Sequence, residues 1–186
     1  VETKNGDGII LTECKYTEHS FYRCSARRKT DRGDKIGNPA PEKCMQPASL
    51  CNHKTIPCHQ TVWGRKYMNH FGLSEDGKKV LTRCPAATAG YQLMRQQALA
   101  NGIKKSGQYD LVVSSVAFDK RNTTLISCLR TSGIADFQTG WYRIYEQGAD
   151  FISWHHQEWV EYVRKHYKGS EEIKDWLLYM QNRYGY

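Results

Sequence analysis

The sequence predicts an α/β fold built on a mixed sheet flanked by helices. Three observations carry this reading. Two strand-like segments at the N-terminus flank the dipeptides Asn5-Gly6 and Asp7-Gly8. A run of good helix formers, Ala89 to Ile103, leads into a β-branched stretch, Tyr109 to Phe118. A further short strand pattern and two helix patterns close the chain.

Val1 to Thr17 reads as a hairpin, because both central residues of a two-residue hairpin turn need positive φ, which Asn-Gly and Asp-Gly supply. Its second strand, Ile9 to Tyr16, starts apolar and ends polar. From about Ser20 to Gly77 periodicity is lost among prolines, basic residues and cysteines. Residues 20–84 therefore read as a basic, Cys/His-rich insertion inside a single domain spanning 1–186, held by something other than an apolar core. Ala89 to Ile103 is helical by propensity, with Gly102 near its end. Tyr109 to Phe118 has the length and β-branched content of a largely buried strand. Thr124 to Leu129 fits a strand or a short helix, Asp136 to Tyr145 a helix, and Phe151 to Trp154 a short strand. His156 to Tyr167 and Ser170 to Tyr184 follow as helices. In the first, Trp159, Val160 and Val163 share an inward face; in the second, Trp176, Leu177 and Met180 form a core or interaction stripe.

Composition bounds the function. The 186 residues suffice for one domain, and no apolar run approaches the roughly 18 residues that a membrane span needs. With 27 Lys+Arg against 19 Asp+Glu, the net charge of +8 favours a polyanionic partner, nucleic acid first. The seven cysteines, at 14, 24, 44, 51, 58, 84 and 128, are odd in number, and no signal segment precedes them. That weighs against a fully disulfide-paired secreted protein and for a cytoplasmic one. Val1 opens the chain without an initiator Met, as the trimmed part of a longer protein would.

Three constellations carry chemistry. Glu13 and Lys15 lie two apart near the end of an apolar strand and so project from one face. A carboxylate there can hold Mg²⁺, and an ammonium beside it can orient an attacking water or stabilise charge on a phosphate; the ordinary alternative is a solvated strand face. Cys44, Cys51, His53, Cys58 and His59, with Cys24 before and Cys84 after, offer soft and imidazole ligands to a structural zinc, although no Cys-x2-Cys knuckle is present. Arg23, Arg27, Arg28, Arg65 and Lys66 are interleaved with Trp63 and Tyr67. That pattern suits phosphate contacts and base stacking on DNA; a solvated basic loop is the alternative.

The order of a Glu-x-Lys strand, the helix around Tyr91 to Ala100 and the strand Tyr109 to Phe118 resembles the core of the PD-(D/E)XK nuclease superfamily, the fold of restriction endonucleases. The likeness covers residues 1–18 and 88–120. It implies a restriction-endonuclease-like domain that cleaves DNA with Mg²⁺, in restriction of foreign DNA or in repair. Glu13 would hold the metal with help from the Cys14 carbonyl, Lys15 would position the nucleophile, and Gln92 or Gln96 would face the site. The superfamily pattern also needs an acid on the preceding strand. A turn at Asp7-Gly8 puts Glu2 across from Glu13, whereas a turn at Asn5-Gly6 points upstream of Val1. Some nucleases of the superfamily hold an iron–sulfur cluster, for which Cys44, Cys51, Cys58 and Cys84 are the candidate ligands. A homodimer is left open. The rivals are a non-catalytic, zinc-stabilised nucleic-acid-binding module and a secreted protein with six bridged cysteines.

Overall fold

The computed structural model describes residues 1–4, 6–47, 57–146, 148–167 and 169–186. Strands β1 (Glu2–Thr3), β2 (Gly6–Lys15), β3 (Leu111–Phe118) and β4 (Asp150–His155) form one sheet in that order. β1 is antiparallel to β2, while β2, β3 and β4 run parallel, so the sheet is mixed as the sequence predicts. The helices are α1 (His59–Val62), α2 (Glu75–Val80), α3 (Pro85–Thr88), α4 (Tyr91–Ser106), α5 (Thr123–Ile126), α6 (Phe137–Gly140), α7 (His156–His166) and α8 (Glu171–Tyr184).

β3 lies between two parallel neighbours, and Val112 to Phe118 are buried on both of its faces. This is why its sequence is a continuous run of apolar and small residues and not an alternation. β2 does alternate. Leu11, Glu13 and Lys15 are partly or fully buried on one face, whereas Ile10, Thr12 and Cys14 are exposed on the other.

α4 covers the first face. It starts at Tyr91 and ends at Ser106, with a left-handed C-cap at Gly107, so it runs past Gly102. Its inward face is partly polar. Gln97 donates to the Ala149 carbonyl at 2.9 Å, and Gln96 donates to the carbonyls of Leu11 and Ser115 at 2.7 and 2.8 Å. Leu93, Met94 and Ala98 join Val116, Phe118, Leu125, Leu129, Phe137 and Trp141 in the main core.

Three expectations are refined by packing. Thr124 to Leu129 resolves into a short helix because the Asn122 side chain caps it, accepting from Leu125 N at 3.0 Å. Asp136 to Tyr145 splits into α6 and a 3₁₀ turn, Trp141–Arg143, where Trp141 is fully buried. Trp159 does not pack inward with Val160 and Val163; it is 48% exposed. The stretch expected to hold together without an apolar core also contributes Phe21 and Phe71 to the main one.

Candidate active site

Lys15 closes β2 and is 1% exposed, the deepest charged side chain among the described residues. A buried ammonium is costly unless it is partnered, and this one is surrounded. Its Nζ donates to Gln92 Oε1 at 2.8 Å and lies 3.3 Å from Glu13 Oε1 and 3.5 Å from Glu18 Oε1. Gln92 Nε2 donates to the same Glu13 oxygen at 2.8 Å. One amide therefore orients both members of the Glu-x-Lys pair. The Tyr22 ring lies 5.0 Å from Nζ and adds a cation–π face.

Three long-range contacts fix this cluster. Gln92 sits in the first turn of α4, whose leading amides find no side-chain cap. Instead, Tyr91 N and Gln92 N donate to the carbonyls of Tyr22 and Phe21 at 3.0 and 2.9 Å. Tyr22 reaches that position in the left-handed region at φ 56°, the one such non-glycine among the described residues. The strain brings its carbonyl to α4 and its ring to Lys15. On the other side, His156 Nε2 meets the Lys15 carbonyl at 3.1 Å, and its imidazole stacks on Tyr16 with centroids 4.3 Å apart. Burial holds its pKa below the ordinary histidine value, which suits a neutral ring donating from Nε2.

Glu18 went unnoticed in the sequence reading. Burial opposes its charge, but the amides of its own backbone and of Tyr16, together with Lys15, hold its carboxyl below the usual carboxylate range. It is ionised near neutrality with Oε2 on Tyr16 N at 3.0 Å. No sequence signal marks it, because it follows the strand end, where side-chain alternation stops.

Other expected site residues lie elsewhere. Glu2 pairs with Asp7 and Thr3 with Gly6, which centres the turn just after Lys4 and separates Glu2 from Glu13 along the sheet. Glu2 is therefore no partner for Glu13. Gln96 is spent on the Leu11 and Ser115 carbonyls and ties α4 to the sheet instead of facing Glu13. The Cys14 thiol points to the opposite, exposed face, leaving only its carbonyl for the role considered.

Within the insertion, Cys44, Cys58 and Cys84 line one apolar pocket of about 70 Å³, joined by Cys24 and His59. Burial pushes the Cys84 thiol up to about 12. His59 Nε2 is engaged with the Ile36 carbonyl at 2.9 Å. Among the described residues no three His, Cys, Asp or Glu side chains stand close enough together to hold a metal ion. Cys51 and His53 lie outside the described residues. Among the described residues, Cys14, Cys24, Cys58, Cys84 and Cys128 make no disulfide. Arg23 and Arg27 donate to the carbonyls of Thr88 and Ala87 at 3.0 and 2.6 Å, and Arg27 is half-buried. Arg28, Arg65 and Lys66 are exposed.

Among the described residues no helix is long and apolar enough to cross a membrane. Searches of curated proteins and of solved structures return no significant match. A family model does match, over residues 1–185, and its description is Restriction Endonuclease associating with ARP. With the mixed sheet, the flanking helices and the buried Lys15 cluster in view, that match makes the chain a member of this restriction-endonuclease-like family.

Proposed function

We propose that the protein is a Mg²⁺-dependent nuclease that hydrolyses DNA phosphodiester bonds in a restriction system, through a site of the PD-(D/E)XK kind. The observation that carries the reading is the burial of Lys15 between Glu13, Gln92 and Glu18. A lysine held at 1% exposure and clamped by two carboxylates is a poor choice for mere solubility. It does suit an ammonium that must hold one position beside a phosphate.

The residues fit a divalent cation in part. Glu13 Oε1 is engaged by Gln92 and Lys15, whereas Oε2 has no hydrogen-bond partner among the described residues. Glu13 would hold Mg²⁺ with the Cys14 carbonyl, and Glu18 is the nearby second carboxylate. When bound, the metal supplies Lewis-acid polarisation of the scissile phosphate. Lys15 then orients the attacking water and stabilises the added phosphate charge, while Gln92 keeps the Glu13 carboxylate and the ammonium in register. Arg28, Arg65 and Lys66 hold the DNA backbone.

The test is incubation of supercoiled plasmid with the purified protein. Nicking or linearisation is expected with Mg²⁺ and none with EDTA, and Glu13→Gln should bring cleavage to background while DNA binding persists. Binding without cleavage under every divalent metal would instead establish the non-catalytic nucleic-acid-binding module.

The cysteine pocket is proposed as the insertion's structural metal centre. Cys24, Cys44, Cys58 and Cys84 supply the donor chemistry. The described donors do not by themselves assemble a metal site, so the centre would need Cys51 or His53 as well. Protein isolated without oxygen should contain zinc, or iron with acid-labile sulfide, and chelation should lower its Tm and open residues 44–59 to protease. Metal-free protein with the same Tm and digestion pattern would leave these cysteines as packing residues.

A further inference from the structure

We propose that a basic, aromatic-walled pocket in the insertion takes an unpaired nucleotide of the DNA substrate; this deepens the nuclease reading and rests on it. The pocket has a volume of about 260 Å³. Four cations, Arg28, Arg32, Lys35 and Arg65, line it, and no carboxylate does. Trp63 and Tyr91 supply its aromatic walls. Cations with a flat π surface are the combination that holds a single strand, since the charges neutralise phosphates and the ring stacks on a base whatever its identity.

The local backbone builds this display. Arg32 and Lys35 exchange backbone hydrogen bonds of 2.9 and 3.0 Å across the Gly33-Asp34 turn, so their side chains stand side by side. Arg65 is delivered by the end of α1. Gly64, at φ 72°, accommodates the left-handed turn while its N–H donates to the Thr61 carbonyl and Arg65 N–H donates to the Gln60 carbonyl. That pair of bonds is a Schellman motif, which fixes the direction in which Arg65 leaves the helix. Lys35 is paired with Asp34 at 2.9 Å, and Asp34 also feels Arg65. Asp31 and Asp34 stand in the same segment, and the four cations outnumber them.

Two further features point to a ligand. Gln60 lines the pocket at 1% exposure; its Nε2 donates to Cys24 Sγ and Tyr91 Oη, but its buried Oε1 has no partner. An unpaired buried acceptor in a native site is costly, and a base or sugar donor would satisfy it. Tyr91 is also the residue before Gln92 on α4, so the pocket adjoins the Glu13–Lys15 cluster along one helix. A strand with one nucleotide seated against Trp63 can then continue toward the carboxylates.

The test measures binding of a fluorescent single-stranded oligonucleotide and of a blunt duplex, with Ca²⁺ replacing Mg²⁺ so that the outcome does not depend on cleavage. Trp63→Ala should weaken single-strand binding about 10-fold and duplex binding by less than about twofold. Trp63 also packs on His59 and donates to the Ile36 carbonyl, so the alanine variant could disturb the loop. Trp63→Phe keeps a stacking face without that donor and should retain most of the single-strand affinity. Arg32→Gln and Arg65→Gln, at exposed positions, should each flatten the salt dependence of single-strand binding by about 0.7 in log–log slope. An abasic position in the oligonucleotide should remove the difference between wild type and Trp63→Ala. Equal losses on duplex and single strand, equal behaviour of Phe and Ala, or an abasic strand that binds as tightly as the intact one would overturn the pocket. Absence of Mg²⁺-dependent cleavage with the single-strand preference intact would overturn the nuclease reading alone.

Discussion

Lys15→Ala should lower Mg²⁺-dependent cleavage by at least about 10²–10³-fold, the range for removing one group that stabilises charge in a transition state. DNA affinity should stay within a few-fold, because one ammonium among many phosphate contacts adds little to binding. The geometry makes the expectation sharp. Nζ is held by Gln92 Oε1 at 2.8 Å and lies near two carboxylates at 3.3 and 3.5 Å. Removal also leaves Glu13 and Glu18 facing each other without their shared counter-charge, which raises the cost of both staying ionised. Lys15→Met, which keeps much of the buried chain, separates the loss of charge from the loss of packing. Both variants should be inactive, and circular dichroism should show the methionine variant folded. Cleavage retained by a folded Lys15→Met protein would remove Lys15 from the chemistry.

Asp119→Ala should destabilise the fold by about 2–3 kcal/mol, or roughly 5–10 °C in Tm for a chain of this size. Asp119 follows β3 and is 9% exposed. It accepts from Arg121 Nη2 at 2.6 Å, Gln157 Nε2 at 2.7 Å and the Tyr186 hydroxyl at 2.8 Å, so one carboxylate ties the sheet to α7 and to the C-terminal residue. The Arg121 side chain is largely exposed, and solvent screening keeps the estimate below that of a fully buried pair. Arg121 above all, then backbone and side-chain donors, hold the Asp119 carboxyl far below the ordinary carboxylate range. A depressed folded pKa means that this stabilisation is complete above the unfolded value near 3.9 and fades as pH falls toward the folded one. The gap in Tm between wild type and Asp119→Ala should therefore be constant above about pH 5 and shrink below pH 4. A gap independent of pH down to the acid transition would mean that Asp119 acts through packing alone.

The parts of this molecule that were legible in its sequence are those set by local periodicity. Glu13 and Lys15 share a face because strand alternation is a property of two adjacent peptide units, and the burial of β3 is written in its β-branched run. Gln92 could be placed because it belongs to a helix of known order relative to that strand. The partner of Glu13 stayed open for a different reason. Two Gly-containing dipeptides compete for the turn, yet Glu2 pairs with Asp7 and Thr3 with Gly6, a register that neither dipeptide centres, and a small slip in register moves every facing pair. Glu18 was illegible because it lies past the strand end, and Tyr22 and His156 because their positions depend on contacts with chain far away. His156, for example, lies 141 residues from the Lys15 carbonyl it meets. Arg27 looked like one of five equivalent basic residues, and only packing against Ala87 separates it from Arg28.

The pairing of β2 with β3 has a consequence for how the molecule comes into being. Thr12 meets Ser115 at a sequence separation of 103, so the longest strand of the sheet has almost no partner until the remainder has been made. Closing such a loop costs entropy before any contact rewards it, and parallel pairings of this span form late and slowly. Lys15 gains Gln92 only when α4 docks, and its carbonyl gains His156 only after β4 has joined. During synthesis, a nascent chain ending before residue 111 would carry the Glu-x-Lys segment as an unpaired ribbon, without the geometry to act on a phosphodiester. On the proposed nuclease reading, topology alone keeps the chain inert on the ribosome, and its chemistry switches on at about the moment when its C-terminal helices lock into place.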